Sequence, residues 1–264
     1  MNKTIADYHI HTKASPDARG TIEECVVEAK KRGVDEVGFS EHLLLKHPMC
    51  RSDPFIQSLP VYVREFLDFK EKSEIPIKLG IEVDFFPDEV EKIKRLIQNY
   101  PFDYVIGSVH VIGNWVIDDP SEMAEYSRRD TLQVYEEYFS LVKRLVGSRL
   151  FDILAHPDLV KIFGARPSND FSRFLVETAE ITAESNVCAE INTRGLRRPC
   201  QEIYPSEKFL QILHKHDVPI VFGSDAHEPN DVGRHFEEAV KLAKKVGYTH
   251  ACMFDRRERM LAKI

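Results

Sequence analysis

Six short apolar runs in this chain each end abruptly in histidine or carboxylate, and segments with helical spacing separate them. That alternation constrains the fold more than any other feature. The runs are ADYHIHT (6–12), EVGFSEH (36–42), KLGIEVD (78–84), YVIGSVH (104–110), DILAHP (152–157) and PIVFGSDAH (219–227). Apolar residues recur at helix spacing over 21–33, 59–73, 88–100, 131–147, 170–185, 206–216 and 232–247. Thr21 with Glu24 reads as a capping box, and Gly33, Gly147 and Gly247 stand where helices should stop.

Strict alternation of strand and helix implies a parallel sheet. Six strand ends bearing ligand-type residues imply closure or near closure, because an open sheet gathers ligands only at its switch point. The expectation is about seven β/α units in an α/β fold, a distorted barrel whose strand ends converge on one face. Residues scattered over more than two hundred positions then meet in one pocket. Two long connections, 43–58 and 111–130, follow ligand-type residues directly, where long loops commonly shape a substrate pocket.

At 264 residues the chain is ample for one barrel, read as a single domain over 1–264. Its 36 basic and 43 acidic residues, net −7, argue against a surface that neutralises a polynucleotide, so no nucleic-acid partner is expected. Cys25, Cys50, Cys188, Cys200 and Cys252 show no CxxC spacing and read as reduced thiols. Neither an apolar signal core nor a stretch of about 18 apolar residues is found, so the expected location is the cytoplasm, with no membrane partner.

Nine side chains are the candidate metal ligands: His9, His11, Asp17, His42, Glu82, His110, His156, Asp225 and His227. His9 and His11 alternate on a strand and project to one side, while Ile10 points into packing. Asp17 follows Pro16 and, read by itself, is a turn former. Glu82, between Ile81 and Val83, is costly in such a strand unless paired or metal-bound, and a carboxylate can bridge two cations. Asp84 shares its face and competes for the role; Glu82 is favoured. His110 and His156 end apolar runs where a lone histidine would ordinarily be structural, and Asp225 with His227 repeats the alternating geometry. Imidazole and carboxylate without thiolate suit two or three ions of Mn, Fe or Zn rather than an all-oxygen Mg or Ca site.

Such cations lower the pKa of bound water and clamp a phosphoryl oxygen, so hydrolysis of an ester with an anionic centre is expected and the partner is a small phosphorylated substrate. The expected catalytic set is Glu82 with Asp17 and His227, either of the last two passing a proton to the leaving alcohol. Basic residues should hold the outer phosphate oxygens. EINTRGLRRP (190–199) and HPDLVKIFGARP (156–167) supply them: Arg197 and Lys161 first, then Arg166 and Arg194, with His42 beside them.

Taken together, these residues resemble the polymerase and histidinol phosphatase (PHP) superfamily of trinuclear-metal phosphoesterases. The order HxH, Asp, His, Glu, His, His, DxH covers residues 9–227. The resemblance implies a distorted (β/α)7 barrel, TIM-like. It also implies one ion on His9, His11, Glu82 and Asp225, a second on Glu82, His110 and His156, and a third on Asp17, His42 and His227. Asp at position 17, DYHIHTKASPDA, GSVHVIGNWVIDDP and NTRGLR are similar to the histidinol-phosphatase branch. The branch implies conversion of L-histidinol phosphate and water to L-histidinol and phosphate. Asp118, Asp119 or Glu122 then meet the ammonium or are ordinary loop charges. Rival readings are a PHP enzyme acting on another phosphomonoester, nucleotides or polynucleotide ends, an amidohydrolase, and a barrel that has lost catalysis. A polynucleotide enzyme would carry a basic stripe or a fused partner domain, which this acidic single-domain chain lacks, an amidohydrolase would bridge its metals through a lysine on a middle strand, and a barrel that has lost catalysis would show missing ligands.

Overall fold

A computed structural model describes residues 3–46, 48 and 54–264. Strand β1 (Ala6–Ile10) leads through α1 (Ile22–Lys31) to a split second run, β2 (Glu36–Phe39) and β3 (His42–Leu43). Helix α2 (Pro54–Lys70) precedes a third run, split into β4 (Ile77–Leu79) and β5 (Glu82–Asp84), and α3 (Val90–Gln98) precedes β6 (Ile106–Ser108). A small hairpin, β7 (Val111–Ile112) with β8 (Trp115–Val116), and a short α4 (Glu125–Arg128) come before α5 (Thr131–Gly147). Then follow β9 (Ile153–Leu154), α6 (Ser172–Glu184), β10 (Cys188–Asn192), α7 (Glu207–Lys215), β11 (Ile220–Gly223) and α8 (Phe236–Val246). The last elements are an antiparallel pair, β12 (His250–Asp255) and β13 (Glu258–Lys263).

One parallel sheet runs β1-β2-β4 and the other β3-β5-β6-β9-β10-β11. Because β2 continues into β3 and β4 into β5, the two sheets share two strand runs. A parallel bridge from Ile10 to Ala226 ties the end of β11 to β1 and closes the ring. Among the described residues the result is a distorted barrel of seven parallel strand runs, with the crossover helices outside. Among the helix signals, the Thr21–Glu24 capping box forms, Gly33 and Gly247 stand at the ends of α1 and α8 with positive φ, and Gly147 is the last residue of α5 rather than the one after it.

Two packed regions hold the barrel. The larger lies between strands and helices and takes Ile10, Phe39, Leu79, Val83 and Phe139. The smaller fills the barrel interior below the ligand-bearing ends, with Tyr8, Tyr104, Ile106, Ile153, Val221 and Phe254. Tyr104 reaches across this interior because Gly38 and Gly80 lack side chains. A Cβ at either would lie 2.2 Å from its ring or hydroxyl, and the Tyr104 hydroxyl donates to Tyr8 O at 2.8 Å. The β12/β13 pair closes this end: Phe254 is in the interior cluster and its N–H donates to the Tyr8 hydroxyl at 3.0 Å.

The structure departs from periodicity in three places. Helix α2 includes residues 54–58, which read as loop, and runs through Pro60. The 111–130 connection carries β7, β8 and α4. The β12/β13 pair has no counterpart in the β/α alternation. Of the 43–58 connection, residues 47 and 49–53 lie outside the described residues.

Candidate metal centre

The ends of β1, β3, β5, β6, β9 and β11 bring eight of the nine candidate ligands together, and the loop after β1 brings Asp17. Strand alternation brings His9 and His11 to the centre together, while Ile10 between them is buried in the outer core. Glu82 stands in the middle. Its Oε2 lies 3.2 Å from His9 Nε2, 3.4 Å from His11 Nε2 and 3.0 Å from His42 Nδ1. Its Oε1 faces the other way, 3.3 Å from His156 Nε2 and 3.8 Å from His110 Nε2. The carboxylate therefore spans two histidine clusters. Asp84, two residues on, instead accepts from His110 Nδ1 at 2.5 Å and from Ser108 Oγ at 3.2 Å.

Three groups have ligand atoms close enough to share an ion: His9, His11 and Asp225; Glu82, His110 and His156; and His11, His42 and His227. Asp17, half-exposed, borders the third, 3.6 Å from His42 Nε2 and 3.1 Å from His227 Nε2. The donor set tests well against divalent cations. His9 Nε2, His11 Nε2, His42 Nδ1 and Glu82 Oε2 are buried with no hydrogen-bond partner. Such orphaned atoms are rare in native interiors, and four of them pointing at one space mark a site shaped for another species. Burial by itself would push the Glu82 carboxyl up, but His9 and His42 hold it well below the usual carboxylate range. Burial is likewise outweighed at Asp225 by Arg194 and His9, and the group stays ionised. Burial and then the charges of His42 and His227 hold His11 well below its ordinary value, so it is neutral. Ionised carboxylate and neutral imidazole are the forms that ligate metal; His9, His42 and His110, which burial would lower but Glu190, Glu82 and Asp84 hold above the ordinary imidazole value, would each release a proton on binding an ion.

The supporting contacts are as specific. His9 Nδ1 lies 2.7 Å from Glu190 Oε1, and Glu190 Oε2 accepts from His156 N at 2.8 Å and Asn192 Nδ2 at 3.0 Å. Gly223 makes room for this, since a Cβ there would lie 1.9 Å from Glu190 Oε1. His156 and Asp225 both hold positive φ, 23° and 52°. Non-glycine residues in that region store about 1–3 kcal/mol each and cluster at functional sites. The expected set includes neither Glu190 nor Asn192. Their signal was the run CAEIN, apolar then polar with alternating Glu and Asn, the same signature as the other strand ends.

A cavity of about 420 Å³ opens over the cluster. His42, Glu82, His110 and His156 form its floor, with Asp17, Asp225 and His227 at one side. Leu44, Val116, Leu159 and Ile162 give it apolar walls, and Asp118, Asp119, Arg194 and Arg198 add charge; Glu122 does not line it and accepts from Val116 N. Of the arginines and lysine expected to hold phosphate, only Arg194 lines the cavity; His42, expected beside them, lines it too. Its Nη1 donates to Asp225 Oδ1 at 2.6 Å and lies 2.9 Å from His227 Nε2. Arg197 turns away, donating to Ser224 O at 2.9 Å and facing Asp231. Lys161 is buried behind the wall, donating to Ile203 O and paired with Asp158 and Glu202 at 3.0 and 2.9 Å. Arg166 pairs with Glu202 at 2.6 Å, also off the cavity. Arg198 faces the cavity with no carboxylate within ion-pair distance among the described residues.

The PHP domain family matches residues 7–194, and a PHP-associated family matches residues 206–244. The chain is 32% identical to a probable histidinol-phosphatase of Deinococcus radiodurans, over 92% of this chain and 94% of the relative. It is 29% identical to the histidinol-phosphatase of Lactococcus lactis (94% and 93% covered) and 27% identical to that of Bacillus subtilis (88% and 96%). Among solved structures it is similar to the histidinol phosphate phosphatase of Lactococcus lactis complexed with zinc, L-histidinol and phosphate. The TM-score is 0.85 at 26% identity, covering 97% of this chain and 99% of that one.

Proposed function

The chain belongs to the PHP domain family, and we propose that it is a histidinol-phosphatase, a metal-dependent phosphoric monoester hydrolase that converts L-histidinol phosphate to L-histidinol and phosphate in L-histidine biosynthesis. The observation that carries this reading is likeness over nearly the whole chain to histidinol-phosphatases, including one complexed with zinc, L-histidinol and phosphate. We read residues 1–264 as one catalytic domain, in which the PHP-associated segment contributes Asp225 and His227.

Two or three divalent ions of Zn, Mn or Fe are assigned to His9, His11 and Asp225, to Glu82, His110 and His156, and to His11, His42 and His227 with Asp17 beside them. Bound there, the cations lower the pKa of water and offset charge on a phosphoryl oxygen. The chain's own residues do the rest. Glu82 holds the two histidine clusters in register. Arg198, which faces the cavity and has no carboxylate within ion-pair distance among the described residues, is the fork for the outer phosphate oxygens, and Arg194 adds positive charge beside it. Asp17, half-exposed at the rim and 3.1 Å from His227 Nε2, is the group placed to relay a proton from water to the leaving alcohol. Asp118 and Asp119 give the cavity wall a negative charge suited to a substrate that carries an ammonium.

The substrate is a small phosphate ester, and the acidic balance of the chain disfavours a polynucleotide. No described helix is long and apolar enough to cross a membrane. We place the reaction in the cytoplasm, in keeping with the free thiols of Cys25, Cys188, Cys200 and Cys252. The test is phosphate release by the zinc- or manganese-supplemented protein from L-histidinol phosphate, beside sugar phosphates, nucleotides and short oligonucleotides. A kcat/KM highest for L-histidinol phosphate is expected; higher turnover of another phosphate ester overturns the biosynthetic role and keeps the hydrolase.

A further inference from the structure

His9 and His110 each have a carboxylate behind the ring, Glu190 and Asp84, whereas His11 has only a hydroxyl. Its Nδ1 lies 3.4 Å from Ser15 Oγ. A hydroxyl can donate or accept, so it does not by itself fix which ring nitrogen carries the proton. Glu41 decides. This buried carboxylate accepts from Ser15 Oγ at 2.6 Å, from Thr12 Oγ1 at 2.7 Å, from Thr12 N at 3.1 Å and from the Tyr62 hydroxyl at 3.2 Å.

We propose that Glu41 is a positioning residue for the metal centre, holding His11 through Ser15 in the tautomer that carries its proton on Nδ1 and presents an Nε2 lone pair to the centre. With Glu41 ionised and accepting from all of these donors, the count of donors and acceptors leaves no other arrangement with every bond made. Ser15 has one proton, committed to Glu41. One of its two lone pairs accepts from His42 N at 3.1 Å, which leaves the other for an N–H from His11. A proton on Nε2 instead would set two lone pairs against each other between Ser15 and Nδ1 and close the Nε2 atom, an orphan in this structure, to a cation. The same carboxylate binds Thr12 and Ser15 of the loop that carries Asp17, so it also fixes where that loop leaves β1. The inference rests on the reading that His11 faces a cation.

The experiment uses the full chain, 15N-labelled and stripped of metal. Long-range proton–nitrogen spectra report which ring nitrogen of His11 is protonated, the signal being identified by its loss in His11→Asn, and calorimetric titration with zinc alone gives affinity. In the unsubstituted protein the proton is expected on Nδ1. Glu41→Gln keeps most donors by turning its oxygen to Thr12 and Tyr62, so its amide faces Ser15, reverses the relay and moves the His11 proton to Nε2. Zinc binding then falls about 10- to 100-fold, the usual cost of losing such an outer contact. Ser15→Ala is expected to give mixed tautomers and a similar loss, and it decides the matter should Glu41→Gln fail to fold. Tyr62→Phe removes a Glu41 contact outside the relay and leaves tautomer and affinity unchanged. A proton on Nε2 in the unsubstituted protein, or an unchanged tautomer with affinity within twofold in the Glu41 and Ser15 variants, overturns the proposal. Failure of the unsubstituted protein to bind zinc overturns the metal centre instead, and the tautomer measurement still judges Glu41.

Discussion

The guanidinium of Arg197 is held by Ser224 O and Asp231, while that of Arg198, one residue on, faces the cavity. The two substitutions should therefore separate. Arg198→Ala is expected to lower kcat/KM for a phosphate ester about 10²- to 10³-fold, the usual cost of losing a donor to transition-state charge, with little change in melting temperature. Arg197→Ala should do the reverse, lowering the melting temperature and leaving kcat/KM within a few-fold. Equal kinetic losses in both variants would deny Arg198 its role. Gly223 makes a second case: a Cβ there meets both Glu190 Oε1 and His9 Cβ at less than 3.0 Å. Gly223→Ala should push Glu190 off His9 and weaken zinc binding about 10- to 100-fold in a direct titration; unchanged affinity would show that the pair can shift sideways.

The helix spacing over 59–73 places a helix start near 59, with Pro60 in the first turn, where its missing N–H is an orphan anyway. The structure instead begins α2 by Pro54 and carries it through Pro60, with Phe55, Leu59, Val63 and Phe66 buried along one face. Burial along that stripe outweighs a backbone bond lost at one turn. The β12/β13 turn shows the same priority. Arg256 and Arg257 both hold positive φ, 50° and 67°, where Asn-Gly would signal a hairpin. Tertiary bonds hold them: Arg256 N donates to Asp103 Oδ1 and Arg257 N to Asp103 O, and the Arg257 fork binds Asp152 at 2.8 and 3.0 Å. Arg257→Ala leaves the largely buried Asp152 carboxylate short of two donors and should cost about 2 kcal/mol in urea unfolding. No loss of stability would mean that water replaces the fork at Asp152 without cost.

At the scale of the whole molecule, the barrel closes where a parallel bridge joins Ile10 to Ala226, beside His9, His11, Asp225 and His227. Ion binding by these residues is therefore expected to be coupled to closure at this seam. A cation held at about 1,000 times its dissociation constant adds about 4 kcal/mol to the folded state. For a chain of this size, chelation should therefore lower the melting temperature by roughly 10 °C, and zinc should restore it. Asp225→Ala should remove this zinc-dependent increment and the activity, while the strands below, packed on Tyr8, Tyr104 and Val221, keep the barrel folded by circular dichroism. A melting temperature insensitive to zinc in the unsubstituted protein would separate the seam from the metal site.

Periodicity and run-end chemistry determined the alternation, the barrel class and the nine side chains that meet at its mouth, because burial of apolar strands and the cost of lone buried polar groups act locally and leave a local signature. The capping box at Thr21 and Glu24 is legible for the same reason. Tertiary structure decided what depends on direction and distance: that Glu82 rather than Asp84 spans the clusters, that Arg198 rather than Arg197 or Lys161 reaches the cavity, and that Glu190 from a seventh strand backs His9. A strand fixes the side on which a carboxylate projects, but two residues on one face differ only in height. A residue in a turn points wherever its neighbours leave room. Those choices rest on contacts between segments far apart in the chain, whose distances no run of neighbouring residues encodes.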